Sequence, residues 1–312
     1  MDRKVLNVIL ILVGVFALFL LVVWVGGSVL NIPRLQTGER PVLRFVVVGI
    51  GLLGAFAVYW FTKANKAWEV GTREVVYMAI GAALYAVFSY LFNGTVFVVP
   101  SVSQVALRPA ICIPMFFGYT FGPVVGFFTG AVGNMVGDAL TGFGLYPQWS
   151  LGNGLIGLVA GMVMLFGDKK RSMNTVLIIS AVLAAIATLI YLFNRTIPNM
   201  QFFAPDQGIF GDQQISLVVG LSAVIGFALV LIVRFAFAKN VDWGAAVTWG
   251  GLGNLIGLGF AAISDIWING YPPAVAIVGE FLPSAGPNLV FAAILVPILV
   301  AAYAALRRQT GR

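Results

Sequence analysis

The chain has 312 residues, 60% of them hydrophobic and only 9% charged, with a mean hydropathy of +1.00. A soluble domain carries about 25% charged residues, so this composition cannot cover a water-facing surface and belongs to a multi-pass membrane protein. Histidine is absent and Cys112 is the single cysteine, which excludes His/Cys metal sites, disulfides, haem ligation and His-based nucleophilic triads within the chain.

Spanning a bilayer takes ~20 mostly apolar residues per helix. In chain order the sequence predicts helices over Val5–Leu30, Phe45–Phe61 and Val75–Phe92. Two more fall between Pro109 and Gly137, divided by a Phe121-Gly122-Pro123 turn, and the first of this pair is short and interrupted by Pro114. Trp149–Phe166, Thr175–Phe193, Ile215–Val233, Trp243–Ser264 and Phe281–Leu306 complete an all-α polytopic fold of ten transmembrane helices. The longest polar connection is Asn194–Gln214, too short for a soluble domain. The first apolar run is too long for a cleaved signal peptide, and no small-residue cleavage site closes it. No Gly-rich loop ends in Gly-Lys-Ser/Thr, so nucleotide hydrolysis by that route is excluded.

The formal net charge of +7 reads as topology, not as a nucleic-acid surface. Short cytoplasmic loops collect Lys and Arg. With the N-terminus inside, 13 of the 18 Lys and Arg face inward, and Arg34, Arg40, Arg44, Arg108 and Arg195 are left outside. The reading is N-in and C-in.

Gly49–Lys63 lies without gaps over Gly220–Arg234, sharing Phe56-Ala57 and Phe227-Ala228, while Ile32-Pro33 parallels Ile197-Pro198. Duplication and chance similarity between apolar helices are both open at this point. The expected organisation is an N-terminal hairpin (1–70), four core helices (71–170), an inserted hairpin similar to the first (171–240) and the last two core helices (241–312).

Ionisable residues inside a membrane segment are costly and usually functional. Under this topology Arg108, Asp138, Trp149, Asn153, Asp265, Glu280 and Asn288 all fall in the outer half, with Asn134 one turn below Asp138 on the same face. One-sided clustering points to a pocket open to the outside, because an ion pathway would thread polar groups through the whole depth. Trp149, Trp267 and Tyr271 fit an aromatic belt, the reading favoured for Trp267, while Tyr146, Trp149 and Tyr271 also fit stacking on a flat ligand. Asp138 and Asp265 also fit helix-end carboxylates, Arg108 an interfacial anchor, and Asn254 an interhelical hydrogen bond. Small residues line the third helix (Ala79, Gly81, Ala82, Ala83, Ala86) and the fifth (Gly126, Gly130, Gly133, Gly137), a pattern of close helix packing.

Three ordered features carry a family resemblance. Arg73-Glu74 precedes Ala79-Ile-Gly-Ala-Ala83; FGPVVGFFTGAVGNMVGDALTGFG (Phe121 to Gly144) precedes Pro147-Gln-Trp149 and a Gly-rich helix; and Asp265, Tyr271-Pro-Pro273, Glu280 and Asn288 precede a helix ending VAAYAALRR. Over Arg73–Asp168 joined to Asp242–Arg308, the chain resembles the S components, the substrate-binding membrane subunits of energy-coupling factor (ECF) vitamin transporters, and within them the riboflavin subgroup. The resemblance implies a six-helix binding core in a prokaryotic plasma membrane that takes a vitamin, riboflavin foremost, from outside. It implies no catalysis, cofactor or metal. It also implies that Ala79 and Ala83 dock on a coupling transmembrane subunit that sits on two ATPases. The candidate substrate-binding set is Arg108, Asn134, Asp138, Tyr146, Trp149, Asn153, Asp265, Tyr271, Glu280 and Asn288. A stand-alone secondary transporter of a small organic solute is the competing reading. A lipid or isoprenoid enzyme with Mg²⁺ on Asp138 and Asp265 lacks the closely spaced Asp cluster such a site needs.

Overall fold

The structure is a computed structural model that describes residues 3–93, 98–103, 105–142, 144–199 and 214–311. Most of the Asn194–Gln214 connection therefore lies outside the described residues. The helices are α1 (Arg3–Leu20), continued as a π-helix over Leu21–Val29, α2 (Pro41–Thr62), α3 (Thr72–Asn93), α4 (Cys112–Phe121), α5 (Pro123–Thr141) and α6 (Pro147–Gly161). They are followed by α7 (Lys169–Phe193), the single turn α8 (Leu217–Gly220), α9 (Ser222–Ala236), α10 (Val241–Ile268), α11 (Pro273–Ala276) and α12 (Leu282–Gln309). A two-residue ribbon pairs β1 (Val98–Val99) with β2 (Val105–Ala106), antiparallel.

Among the described residues, eight helical runs are long and apolar enough to cross a membrane, and Pro109–Phe121 and Ser222–Ala236 are shorter apolar helices. Their outward faces are apolar: Phe61 and Phe193 are 86% and 84% exposed, which in water would be unfavourable and in lipid is not.

Three boundaries differ from the sequence reading. Pro114 does not interrupt α4; it sits in the first turn, where a missing N–H breaks no helical bond. The second helix begins at Pro41, whose fixed φ suits a first helical position, so Arg44 lies inside it. The last span begins at Pro273 and passes through a π-helical turn at Ile277–Phe281, so Glu280 and Asn288 stand within it. Prolines 287 and 297 are absorbed inside α12, as neighbouring helices permit.

At the centre, α5, α6 and α10 run in backbone contact. A Cβ on Gly126 would collide with the Gly157 carbonyl, and one on Gly157 with that of Gly126. Gly152 and Gly257 meet in the same manner between α6 and α10. Gly133 and Gly137 face α3 instead, at Tyr85 and Ser89, so the fifth helix spends its small residues on two neighbours. On α3, Gly81, Ala82 and Ala86 are buried toward α5, while Ala79 and Ala83 are exposed on the outer face. The hairpin of α1 and α2 lies along α5 and α6, with Gly51 against Leu151 and Phe260. Helices α7 and α9 cover α10 and α12 on another side, with Gly226 against Leu289.

Candidate ligand cavity

Loops converge where α5 and α10 end and α6 begins. Gly142, at φ 77°, caps α5 in the left-handed region and turns the chain back across this end of the bundle. The Leu145 N–H then donates to the Gln36 carbonyl at 2.9 Å, fastening the α5–α6 loop to the α1–α2 connector. From that connector Arg40 donates Nη1 to the Trp267 and Ile268 carbonyls at 3.1 and 3.2 Å, at the C-terminus of α10, where the helix dipole favours a cation. The β1–β2 ribbon is fixed by Val102 N–H to the Gly279 carbonyl at 2.9 Å.

Beneath these loops is a cavity of about 470 Å³, within the range of small-molecule sites. One wall is polar and fully engaged. Asn134 and Asp138, four apart on α5, share a face, so one guanidinium meets both. Arg108 donates Nη2 to Asp138 Oδ1 at 3.1 Å and Nη1 to Asn134 Oδ1. Asn134 Nδ2 donates to Asp138 Oδ2 at 2.7 Å and to Ser150 Oγ at 3.1 Å. A charge this far from water must be paired, and Arg108 and Asp138 pair each other.

A second wall is aromatic. Trp149 Nε1 donates to Asp265 Oδ2 at 2.9 Å and Gln148 Nε2 to Asp265 Oδ1 at 3.2 Å, joining α6 to α10. Tyr85 Oη donates to Asn153 Oδ1 at 2.7 Å, and Asn153 Nδ2 donates to the Trp149 carbonyl at 2.9 Å. These bonds hold the indole and the carboxamide in one orientation. Tyr271, in the loop before α11, has its phenol pushed up to about 12, chiefly by burial, and is a neutral donor at physiological pH.

Of the ten expected residues, Arg108, Asn134, Asp138, Tyr146, Trp149, Asn153, Tyr271 and Asn288 line the cavity. Asp265 and Glu280 stand one residue behind it. Asp265 is occupied by Gln148 and Trp149, and Glu280 receives the Ser103 hydroxyl at 2.5 Å. Asn254 lies elsewhere, donating to the Ala285 carbonyl at 2.8 Å between α10 and α12. Ala79 and Ala83 are on the outer face of α3 and do not line the cavity. Sequence reasoning missed Glu39, Arg40, Arg44, Ser103, Asn269 and Ser284, which also line it. In the sequence Arg40 and Arg44 read only as topology markers; their spacing of four at the mouth of an apolar helix is the available signal. Among the described residues no group of three His, Cys, Asp or Glu side chains is placed to hold a metal ion.

Residues 69–234, more than half the chain, match the family model of the S component of ECF-type riboflavin transporters. The match begins just before α3 and ends in α9, so it runs across α7. The chain is similar to three UPF0397 proteins. It is 39% identical over 90 residues to one from Vibrio atlanticus, covering 29% of this chain and 47% of that protein. It is 31% identical over 102 residues to one from Aliivibrio salmonicida (33% and 54%), and 34% identical over 94 residues to one from Aliivibrio fischeri (30% and 49%). The chain spans about half the length of the curated relatives it matches. No solved structure matches it.

Proposed function

Because this multi-pass membrane protein belongs to the family of S components of ECF-type riboflavin transporters, to which the UPF0397 proteins also belong, we propose that it is the substrate-binding subunit of an ECF-type importer. The observation that carries this reading is the aromatic-walled cavity at one end of the bundle, with the Arg108–Asn134–Asp138 network set into it. In this proposal Tyr146, Trp149 and Tyr271 stack on a flat vitamin-like ligand, with riboflavin the leading candidate. Arg108, Asn134, Asp138, Asn153 and Asn288 bond its polar edge, and Asp265 and Glu280 act through Trp149 and Ser103 as positioning residues.

The finer topology is part of the same reading. Eight spans and two shorter apolar helices support ten crossings. Lys4, Arg73, Lys169 and Arg307 gather at the end of the bundle away from the cavity, which supports N-in and C-in with the cavity facing outward, in a prokaryotic plasma membrane. A six-helix core of α3 to α6, α10 and α12 would then hold the ligand, with α1–α2 and α7–α9 as added hairpins. The exposed Ala79–Ala83 face of α3 would dock on a coupling transmembrane subunit that carries two ATPases.

The test is mass spectrometry of the small molecule that co-purifies with the detergent-solubilised protein from a vitamin-replete host, followed by binding of a vitamin panel. A stoichiometric flavin or other vitamin is expected. An empty protein that binds none of the panel, yet drives uptake alone in proteoliposomes under an ion gradient, would replace this reading with a secondary transporter.

A further inference from the structure

The α1–α2 hairpin lies outside the residues that match the family, yet it contributes a buried cation to the cavity. Arg44, in the first turn of α2, is 2% exposed. Its Nε donates to the Glu39 carbonyl at 2.9 Å, its Nη2 to Asn269 Oδ1 at 3.1 Å, and its guanidinium lies over the Tyr146 ring at 5.1 Å. These contacts fix the head group against three lining residues without neutralising it. Nη1 is buried with no hydrogen-bond partner among the described residues, and Arg44 belongs to none of the described ion pairs.

Of the other charges at the cavity, Glu39 is exposed, and its backbone carbonyl, not its carboxylate, accepts from Arg44. Arg108 is paired with Asp138, and Arg40 bonds two carbonyls at the end of α10. Asp265, the carboxylate behind the wall, is held by two neutral donors and forms no ion pair with Arg44, though it and Glu39 attract the guanidinium through space. A buried guanidinium with an idle N–H and no ion-paired anion is costly, and a planar fork of donors suits a carboxylate or phosphate oxygen.

The geometry points to Arg44 as the site that recognises one anionic group, a carboxylate or phosphate, on the molecule bound in the cavity. This inference rests on the binding-subunit reading and narrows its substrate class to flat, polar molecules that carry one carboxylate or phosphate group, in place of neutral riboflavin. It also gives the α1–α2 hairpin a role in selectivity, since removing it would take away both Arg44 and the Arg40 tether.

The experiment is equilibrium binding to the full chain in lipid nanodiscs with three neutral and anionic pairs: riboflavin and flavin mononucleotide, nicotinamide and nicotinate, pyridoxal and pyridoxal phosphate. For the pair that binds, the anionic member is expected to bind about tenfold or more tightly, a difference of ~1.4 kcal/mol. Arg44→Gln should erase that preference by weakening the anionic member alone, and Arg44→Lys should keep part of it. Equal loss for both members would make Arg44 a structural clamp and overturn the inference. Should Arg44→Gln fail to fold, the wild-type comparison decides by itself: a neutral member bound as tightly as its anionic partner overturns the inference and leaves the binding-subunit reading standing. Failure of every probe to bind would count against both.

Discussion

The indole N–H of Trp149 donates to Asp265 at 2.9 Å, and this bond ties the start of α6 to the end of α10 across the aromatic wall of the cavity. The carboxylate positions the ring without reaching the cavity itself. Trp149→Phe keeps an aromatic surface and removes the donor, so it should destabilise the fold by about 1.5–3 kcal/mol, the range for hydrogen bonds to charged groups. Trp149→Ala should cost ligand affinity as well. Thermal unfolding in detergent, with and without ligand, separates the two effects; a Phe variant of unchanged stability would show the bond contributes little.

Asp138 answers Arg108 in the same cavity. Asp138→Asn leaves a deeply placed guanidinium without its counter-charge, which costs about 3–5 kcal/mol when one partner of a buried pair is removed. Ligand affinity should fall at least tenfold. The double variant Arg108→Gln/Asp138→Asn should recover much of the stability and none of the affinity. Thermal midpoints together with binding isotherms test this; recovery of affinity in the double variant would remove the pair from the ligand site.

The Gly126–Gly157 contact between α5 and α6 leaves no space for a side chain. Gly157→Val is therefore expected to abolish monodisperse protein on size-exclusion chromatography, since backbones in contact cannot separate without opening the core. Gly54→Val, at an α2 position where a Cβ meets nothing within 4 Å, should be tolerated.

Ala79 and Ala83 face outward, away from the cavity. Ala79→Trp and Ala83→Trp should leave ligand binding by the isolated subunit unchanged and abolish co-purification with a coupling subunit and uptake by cells. Normal uptake in both variants would move the docking surface elsewhere on the protein.

Arg40 bonds the connector to the carbonyl end of α10. Arg40→Ala should accelerate ligand release several-fold with little change in thermal stability, because its bonds hold a loop over the mouth and lie outside the packed core. Stopped-flow dissociation measures this; an unaltered release rate would mean that the connector does not limit exit.

Much of this molecule is legible in one dimension. Apolar runs of bilayer length have few alternatives to a helix in lipid, so the spans and the separation of charged from uncharged stretches follow from composition and period alone. The i, i+4 relation of Asn134 and Asp138 is equally local, and it correctly put them on one face. Tertiary packing alone decided which distant groups meet. Nothing in the chain order says that Arg40 and Arg44, next to an apolar helix, close over a cavity built by α5, α6 and α10, because hydrophobic runs specify burial and not partners. The same limit placed Asp265 and Glu280 behind the wall. Their places near a helix end were readable from the sequence, but the donors that claim their oxygens come from Trp149, Gln148 and Ser103, more than a hundred residues away, and only close packing of the helices brings those atoms within hydrogen-bond range.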